Sequence, residues 1–460
     1  MHARVFVSLS FLSVMAASVA AAQDQAPLLS LPQLGRCQAT APPLLPEKWQ
    51  ATYLMAPFAK AQLVLGDIVH DGSLPATRVK LYGVKRGSLD LFVHGDNTYA
   101  LHSQGSKITQ CENLGDTGWR PFPRDWLAGQ SQCVASGPVG EIDVDWWKAP
   151  IEPAPSSYWI WYKRSDQTPF RLVFQSTNDR LGILSRHALS YQVRFNAVSR
   201  TDLAEIANAC RAANTPAAPH ALGERIAAMS QAPNRAEREI KQLMPELASC
   251  STAPFSRWPK RLAITGLMTP FDFNENPYAT EVLYDWSVPG QRSRIFFPAQ
   301  SPNTAQDALL LGPRGYNVTY RRERGPTCAP VLPGTIRPDW ASRAPCSCEA
   351  VIAGTTQLTP YGTTRILACP LASPRAAWAW YSVAGRPTVF MVTSLPGDEG
   401  LGLFAVLDYW GWLPGHRVQR SVFDKPKQCE MLPVPTVPGT SASPPPSHCA
   451  TCHLGGAAAR

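Results

Sequence analysis

Residues 37–58 read CQATAPPLLPEKWQATYLMAPF, and residues 250–271 read CSTAPFSRWPKRLAITGLMTPF. The two stretches align without a gap, and each begins with a cysteine and ends in Leu-Met-Xaa-Pro-Phe. Similarity of this kind within one chain is the mark of a duplicated structural unit. It predicts two copies of one domain and, with them, two copies of one cysteine framework.

Further matches follow the same order along both halves of the chain. The matched elements are Cys111 with Cys328, Asp125-Trp126 with Asp339-Trp340, Trp159-Ile160-Trp161-Tyr162 with Trp378-Ala379-Trp380-Tyr381, Leu181-Gly182 with Leu401-Gly402, Tyr191 with Tyr409, and Cys210 with Cys429. Chance similarity of scattered aromatic residues would not preserve this order. We therefore expect a first β unit at 37–210 and a second at 250–429.

The two ends of the chain have distinct compositions. Residues 1–22 resemble a signal peptide, with Arg4 before an apolar stretch and small residues at the cleavage site. No later apolar run is long enough to span a bilayer. The tail at 430–460 is rich in proline and predicts an extended spacer. A secreted or periplasmic location follows from the leader.

Composition excludes several classes of function. The formal net charge is +9, but the charges are interleaved and no basic stripe carries aromatic residues between its charges, so nucleic acid is not an expected partner. The sequence lacks a Gly-Xaa-Ser-Xaa-Gly elbow, a phosphate-binding glycine loop and a His-Glu-Xaa-Xaa-His motif. We expect no catalytic residues and no enzymatic activity.

All twelve cysteines follow the leader, and in an exported protein paired cysteines are expected to form disulfides. The simplest connectivity joins the outer and the middle cysteines of each unit. It consists of Cys37–Cys210, Cys111–Cys133, Cys250–Cys429 and Cys328–Cys348, with Cys346–Cys369 as an extra bridge. The sequence alone leaves open the choice of partners among Cys346, Cys348 and Cys369.

Short stretches that alternate polar and apolar residues predict antiparallel strands, for example at 77–81, 88–93, 170–174 and 388–392. The predicted fold class is mainly β, with two tandem antiparallel half-barrel or sandwich units. A helical connector is expected at 211–249. Its second helical pattern, at 236–247, should end near Met244 because Pro245 follows.

One family resemblance concerns the second unit. Tyr284-Asp285-Trp286, the following Arg292-Ser293-Arg294, and a closing Phe423, Pro426 and Cys429 resemble the LolA-like and ependymin-related lipid-binding half-barrels. The first unit has Leu81-Tyr82-Gly83 where Tyr-Asp-Trp would stand. The resemblance implies a curved antiparallel sheet with one face that accepts a hydrophobic ligand.

Aromatic residues are the candidates for that face. They are Trp159, Trp161, Tyr162, Trp378, Trp380, Tyr381, Tyr284 and Trp286. Because side chains alternate along a strand, Trp159 and Trp161 share one face, and Ile160 and Tyr162 the other. Packing in a core is the competing role for each aromatic. For Asp285 and the two nearby arginines we expect a solvated surface pair.

The tail ends in Cys449-Ala450-Thr451-Cys452-His453. These five residues resemble the attachment site of c-type cytochromes, which implies haem c bonded to Cys449 and Cys452, with His453 as an axial ligand of the metal. A local disulfide between the two cysteines is the alternative. The leading hypothesis is an exported, non-enzymatic binding protein for a lipid or other hydrophobic small molecule. The alternatives are a monohaem electron-transfer protein with a redox partner protein, and a structural secreted protein.

Overall fold

A computed structural model of the chain describes most of the two units. The described residues are 29–37, 39–57, 63–84, 88–104, 107–116, 124–125, 127–129, 131–151, 156–175, 187–211, 237–250, 257–270, 276–288, 290–297, 303–312, 314–331, 346–370, 376–392 and 405–430. The predicted leader at 1–22, most of the connector and nearly all of the tail lie outside this set.

Antiparallel strands dominate both units, which confirms the predicted fold class. The first unit contains β1 (Lys48–Pro57), β2 (Val64–Asp71), β3 (Ala76–Gly83), β4 (Ser88–His94), β5 (Asn97–Gln104), β6 (Lys107–Gly115), β7 (Gln132–Val139), β8 (Ile142–Ile151), β9 (Ser156–Lys163), β10 (Pro169–Gln175) and β11 (His187–Ala197). The second contains β12 (Leu247–Ala248), β13 (Arg261–Pro270), β14 (Tyr278–Asp285), β15 (Gly290–Phe296), β16 (Asn303–Leu311), β17 (Arg314–Arg321), β18 (Thr327–Val331), β19 (Ser347–Ile352), β20 (Thr364–Pro370), β21 (Ala376–Ser382), β22 (Pro387–Val392) and β23 (Ala405–Pro414).

The two sheets share one topology. The first has the order β6-β5-β4-β3-β2-β1-β11-β10-β9-β8-β7, and the second repeats it as β18 to β13 followed by β23 to β19, with β12 added at the edge. The pairing of the first strand with the last shows a register shift at Thr52/Tyr53 in one unit and at Thr265/Gly266 in the other. These positions coincide in the sequence alignment. A bulge retained in both copies supports one duplicated module.

Short helices border the sheets. Helix α1 (Leu203–Cys210) packs on β6, while a 3₁₀ helix (Lys427–Cys429) packs on β18 at the equivalent place. Helix α2 (Glu237–Leu243) ends just before Met244, as Pro245 predicts. Leu247 does not continue that helix, because it lies in β12 and pairs with Ile352.

The predicted outer-to-outer and middle-to-middle disulfide connectivity is wrong. The bonds are Cys37–Cys133, Cys111–Cys210, Cys250–Cys348, Cys328–Cys429 and Cys346–Cys369. The strand order explains the correction, since Cys111 on β6 and Cys133 on β7 lie on opposite edges of an eleven-stranded sheet. The bonded pattern is the same in both units, and Cys346–Cys369 is the extra bridge that the sequence predicts.

The sheets pack against each other through equivalent faces. One hydrophobic core contains Leu54, Trp161 and Tyr191 from the first sheet together with Leu267 and Trp380 from the second. We call these the inter-unit faces, and the opposite side of each sheet its reverse face. Because side chains alternate along a strand, every strand contributes to both faces.

Candidate functional site

Three of the predicted ligand-binding tryptophans lie in the core between the sheets. Trp161, Trp378 and Trp380 are each 0 % exposed. The Nε1 of Trp378 donates to the carbonyl oxygen of Pro57 at 3.0 Å, and the ring of Trp380 lies 4.5 Å from that of Tyr191. These contacts hold the two units together. The side chain of Trp159, on the same strand as Trp161, lies outside the described residues.

The other predicted aromatics lie on the reverse faces. Tyr162 packs with Trp147 and Ile160 on the first sheet. Tyr284, Trp286 and Tyr381 pack together on the second sheet. The structure therefore divides the eight predicted residues between opposite faces and does not gather them around one cavity. Their binding role remains a prediction.

A buried ion pair crosses the inter-unit core. The guanidinium of Arg171 donates to both carboxylate oxygens of Asp408, at 2.7 and 2.8 Å. Its carbon lies 5.3 Å from the centre of the Trp161 ring and 4.5 Å from that of Tyr191. Burial opposes the charge on Arg171, but Asp408 outweighs it and keeps the pKa of Arg171 above its usual value.

Strand register corrects two equivalences drawn from sequence. Leu54 faces Tyr191, whereas the equivalent Leu267 faces Asp408, so Tyr191 corresponds to Asp408 and not to Tyr409. The first unit thus supplies the arginine of the ion pair and the second supplies the aspartate. Because one unit supplies the cation and the other supplies the anion, the two inter-unit faces are complementary in charge.

The second equivalence concerns the Tyr-Asp-Trp motif. Its counterpart in the first unit is 70–72 and not 81–83. Lys48 faces Asp71 and Arg261 faces Asp285, and each cation forms an ion pair with that aspartate. Each aspartate also accepts a hydrogen bond from a serine amide two residues on.

The expected surface pairing of Asp285 with Arg292 and Arg294 is wrong. Both arginines are buried and bind Asp307, through Arg292 Nε at 2.9 Å and Arg294 Nε at 2.6 Å. The arginines and Asp307 lie on neighbouring strands, and sequence spacing alone does not reveal that strand pairing. Asp285 instead pairs with Arg261.

The reverse face of the first sheet carries a continuous cluster of apolar side chains, eight of them only 1–8 % exposed, which we call the first-unit apolar face. It comprises Tyr53, Met55, Val64, Ile68, Val79, Leu81, Leu89, Leu91, Ala100 and Leu114. All ten lie on β1–β6, and within the described chain no residue of the second sheet joins this cluster. Burial raises the pKa of the Tyr53 hydroxyl above its usual value, so the face carries no charge at neutral pH.

The second unit shows what the same fold has at the equivalent positions. In the first unit Val79 faces Leu91, which faces Ala100, and in the second Ser293 faces Ala308, which faces Asn317. The next pair of residues on the same face shows the same contrast, because Leu81 faces Leu89 in the first unit and Ile295 faces Gln306 in the second. Gln306 Nε2 donates to Asn317 Oδ1 at 2.7 Å. The fold therefore accepts polar residues on this face.

Elsewhere the reverse face of the second sheet is filled by its own aromatic residues. Trp258, Tyr284, Tyr381, Tyr409 and Trp412 pack in one cluster, and the Cys346–Cys369 disulfide lies against them. The first-unit apolar face has only one aromatic residue, Tyr53.

The predicted haem ligands Cys449, Cys452 and His453 lie outside the described residues. Among the residues that can be described, one group has metal-ligand spacing, Cys37, Cys133 and Asp145, and its two sulfurs are joined in a disulfide. No helix in this part of the chain is long and apolar enough to cross a membrane.

Comparison with known proteins finds weak structural neighbours. No family model matches the chain, and no curated protein matches it. An uncharacterized conserved protein from Thermus thermophilus has a TM-score of 0.24 at 13% identity, covering 36% of this chain and 86% of its own. A LolA superfamily protein from Nitrosomonas europaea has a TM-score of 0.19 at 10% identity, covering 35% and 90%. A putative outer membrane lipoprotein-sorting protein domain from Vibrio parahaemolyticus has a TM-score of 0.22 at 7% identity, covering 35% and 90%.

Proposed function

We propose that this chain is an exported, non-enzymatic binding protein for a hydrophobic small molecule or lipid, and that the first-unit apolar face is the binding surface. The observation that carries the proposal is the contrast between equivalent positions, with Val79, Leu89 and Ala100 in the first unit and Ser293, Gln306 and Asn317 in the second. Since the same strand pairing forms with polar residues there, the pairing itself does not require aliphatic residues at these positions.

The physics of binding would be removal of apolar surface from water. Burial contributes about 25 cal/mol per Å², or about 0.8 kcal/mol per methylene. The disulfides of each unit support the face by tying its edge strands to flanking segments. A rigid frame lowers the cost of ordering the site when a ligand binds. Five disulfides also favour an oxidising compartment outside the cytoplasm.

Fluorescence titration with 11-(dansylamino)undecanoic acid, followed by displacement with saturated fatty acids, tests the proposal. Affinity should rise about fourfold for each added methylene until the face is filled, because 0.8 kcal/mol per methylene corresponds to that ratio. Organic extraction of the purified protein followed by mass spectrometry should release a co-purified apolar molecule.

A matched pair of variants locates the site. Replacing Val79 by Ser and Leu89 by Gln introduces the polar residues of the second unit and should weaken fatty-acid binding at least tenfold. The control replaces Ser293 and Gln306 by Ala and should leave binding unchanged. Absence of fatty-acid binding by the native protein, or equal losses in both variants, would refute the proposal.

We also propose haem c as a second function of the tail. The other ten cysteines of the chain are paired with one another, which leaves Cys449 and Cys452 as the remaining pair. Produced in a host with haem-attachment machinery, the protein should be red and keep its Soret band after acid-acetone extraction. Colourless protein with a Cys449–Cys452 disulfide would favour the alternative reading.

A further inference from the structure

A charged cluster is repeated in the two units, on the inter-unit faces but beyond the shared core. In the first unit Lys80 on β3 stands between Asp67 and Asp90, its cross-strand neighbours. In the second, Arg294 stands between Glu281 and Asp307 in the same register. Arg78 and Arg292 occupy equivalent positions two residues earlier. Two acidic and two basic side chains thus recur in one arrangement.

The cluster of the second unit is saturated. Asp307 is 1 % exposed and accepts hydrogen bonds from Arg292, from Arg294 through two nitrogens, and from the hydroxyl of Tyr320. The ring of Tyr320 also lies 5.3 Å from the guanidinium carbon of Arg294. Each charge has a close partner, which is the arrangement of a structural ion cluster.

Apolar side chains close the space beside that saturated cluster. Ala263 and Leu283 pack against Val418 and Phe423, which follow the last strand of the sheet. These apolar side chains occupy the place next to the charged residues of the second unit.

The cluster of the first unit is open. Gln50 and Val69, which stand where the second unit has Ala263 and Leu283, line a cavity of about 300 Å³ together with Asp67, Arg78 and Lys80. This volume is at the lower limit of ordinary ligand pockets, which span about 300–1,000 Å³. The chain here turns into helix α1, and among the described residues no equivalent of Phe423 fills the space.

Charge partners in this cavity are looser than in the second unit. Arg78 binds Asp90 through two nitrogens at 2.9 and 2.7 Å, but Lys80 Nζ lies 3.9 Å from the same carboxylate and its side chain is 29% exposed. Asp67 accepts a hydrogen bond from Gln50 at 3.1 Å. Burial raises the pKa of Asp67 because it disfavours the charged carboxylate. A cation beside this carboxylate would stabilise its charge and would be bound favourably.

A second pair of opposite charges borders the cavity. Arg200 and Asp202 line it, and Asp202 lies 3.6 Å from Arg78 with its side chain 60% exposed. Carboxylates and cationic groups therefore alternate around a small solvent-filled space. A ligand with a single charge would meet like charge on one side, whereas a ligand with both charges would meet an opposite charge on each.

We propose that this cavity binds a small zwitterion, with its ammonium group at Asp67 and its anionic group at Lys80 and Arg200. Two sources supply this chemistry, a free amino acid and a phosphoethanolamine headgroup. The proposal is independent of the first-unit apolar face, because the cavity lies on the opposite side of the sheet.

Isothermal titration calorimetry with L-serine and with sn-glycero-3-phosphoethanolamine tests the proposal and distinguishes the two sources. Ethanolamine, acetate and inorganic phosphate serve as probes with one kind of charge. At least one zwitterion should bind ten times more tightly than each of these three. Binding of both zwitterions no tighter than the singly charged probes would overturn the proposal.

Variants assign the binding to this cavity. Lys80→Met and Asp67→Asn should each weaken zwitterion binding at least tenfold. If one of these variants does not fold, the other still provides the test. Arg294→Lys changes the equivalent position of the second unit and should leave binding unchanged. Native-like affinity in both first-unit variants, or an equal loss in Arg294→Lys, would also overturn it.

Discussion

The two units have the same strand order, the same long-range disulfides and the same bulge in the last strand, yet they differ in what lies on equivalent surfaces. At equivalent positions of the reverse faces, the first unit has the aliphatic residues Val79, Leu89 and Ala100, and the second unit has the polar residues Ser293, Gln306 and Asn317. Aromatic clusters lie elsewhere on both reverse faces, and the second unit adds a disulfide to its cluster. Around the repeated charged cluster the second unit is filled and the first is open. The two copies therefore keep one framework but place different side chains at equivalent positions.

The equivalent disulfides of the two units provide the test with the largest expected effect. Removing Cys111–Cys210 by alanine substitution should lower the free energy of unfolding by about 4–5 kcal/mol, because each bond closes a loop of nearly 100 residues. Removing Cys328–Cys429 should cost a similar amount. Denaturant unfolding measures both. A large loss in one unit with none in the other would break the comparison.

The inter-unit ion pair tests a difference between the units, because the first unit supplies the arginine and the second supplies the aspartate. Asp408→Ala should cost about 3–5 kcal/mol, since it leaves the buried guanidinium of Arg171 without its partner. The double change Arg171→Met with Asp408→Leu should recover most of that loss. Urea midpoints of the two variants provide the measurement, and a loss below about 1 kcal/mol for Asp408→Ala would count against the buried pair.

Acid should weaken the fold through the hydrogen-bonded aspartate at the end of β2. Burial raises the pKa of Asp71, but hydrogen bonds from Ser73, Lys48 and Thr201 outweigh it and hold the pKa below its usual range. The carboxylate therefore stabilises the fold above its unfolded pKa of about 3.9, and the contribution is lost as the pH falls below that value. Asp71→Asn should cost about 2 kcal/mol at pH 7 and much less near pH 2.

The pH series of unfolding midpoints for native protein and Asp71→Asn checks this expectation. The two curves should converge as the pH falls. A constant separation between them from pH 7 to pH 2 would show that the hydrogen bonds of Asp71 do not depend on its charge.

Sequence reasoning recovered the duplication and the β class, because aligned cysteines and alternating patterns survive in the chain itself. It failed on disulfide connectivity because the bonds depend on which strands form the sheet edges. It placed Cys111 beside Cys133, which strand order puts at opposite edges. The sequence also does not show whether Trp161 or Tyr162 faces the other unit, because both faces of this strand are apolar.

The charged cluster was missed for a related reason. Lys80 and Arg294 look unrelated until strand register places each of them between two acidic side chains. Comparing residues across neighbouring strands, and not only along the aligned sequence, would have revealed the repeat. The same strand register shows that the counterpart of Asp285 is Asp71 and does not lie at 81–83.

Photo-crosslinking with a diazirine-bearing fatty acid tests the central contrast between the units most directly. Peptide mapping by mass spectrometry should find the label on peptides that contain Met55, Leu81 or Leu91. It should not find it on peptides that contain Met268, Ile295 or Ala308, at the equivalent places. Equal labelling of both units, or labelling confined to the second, would contradict the account.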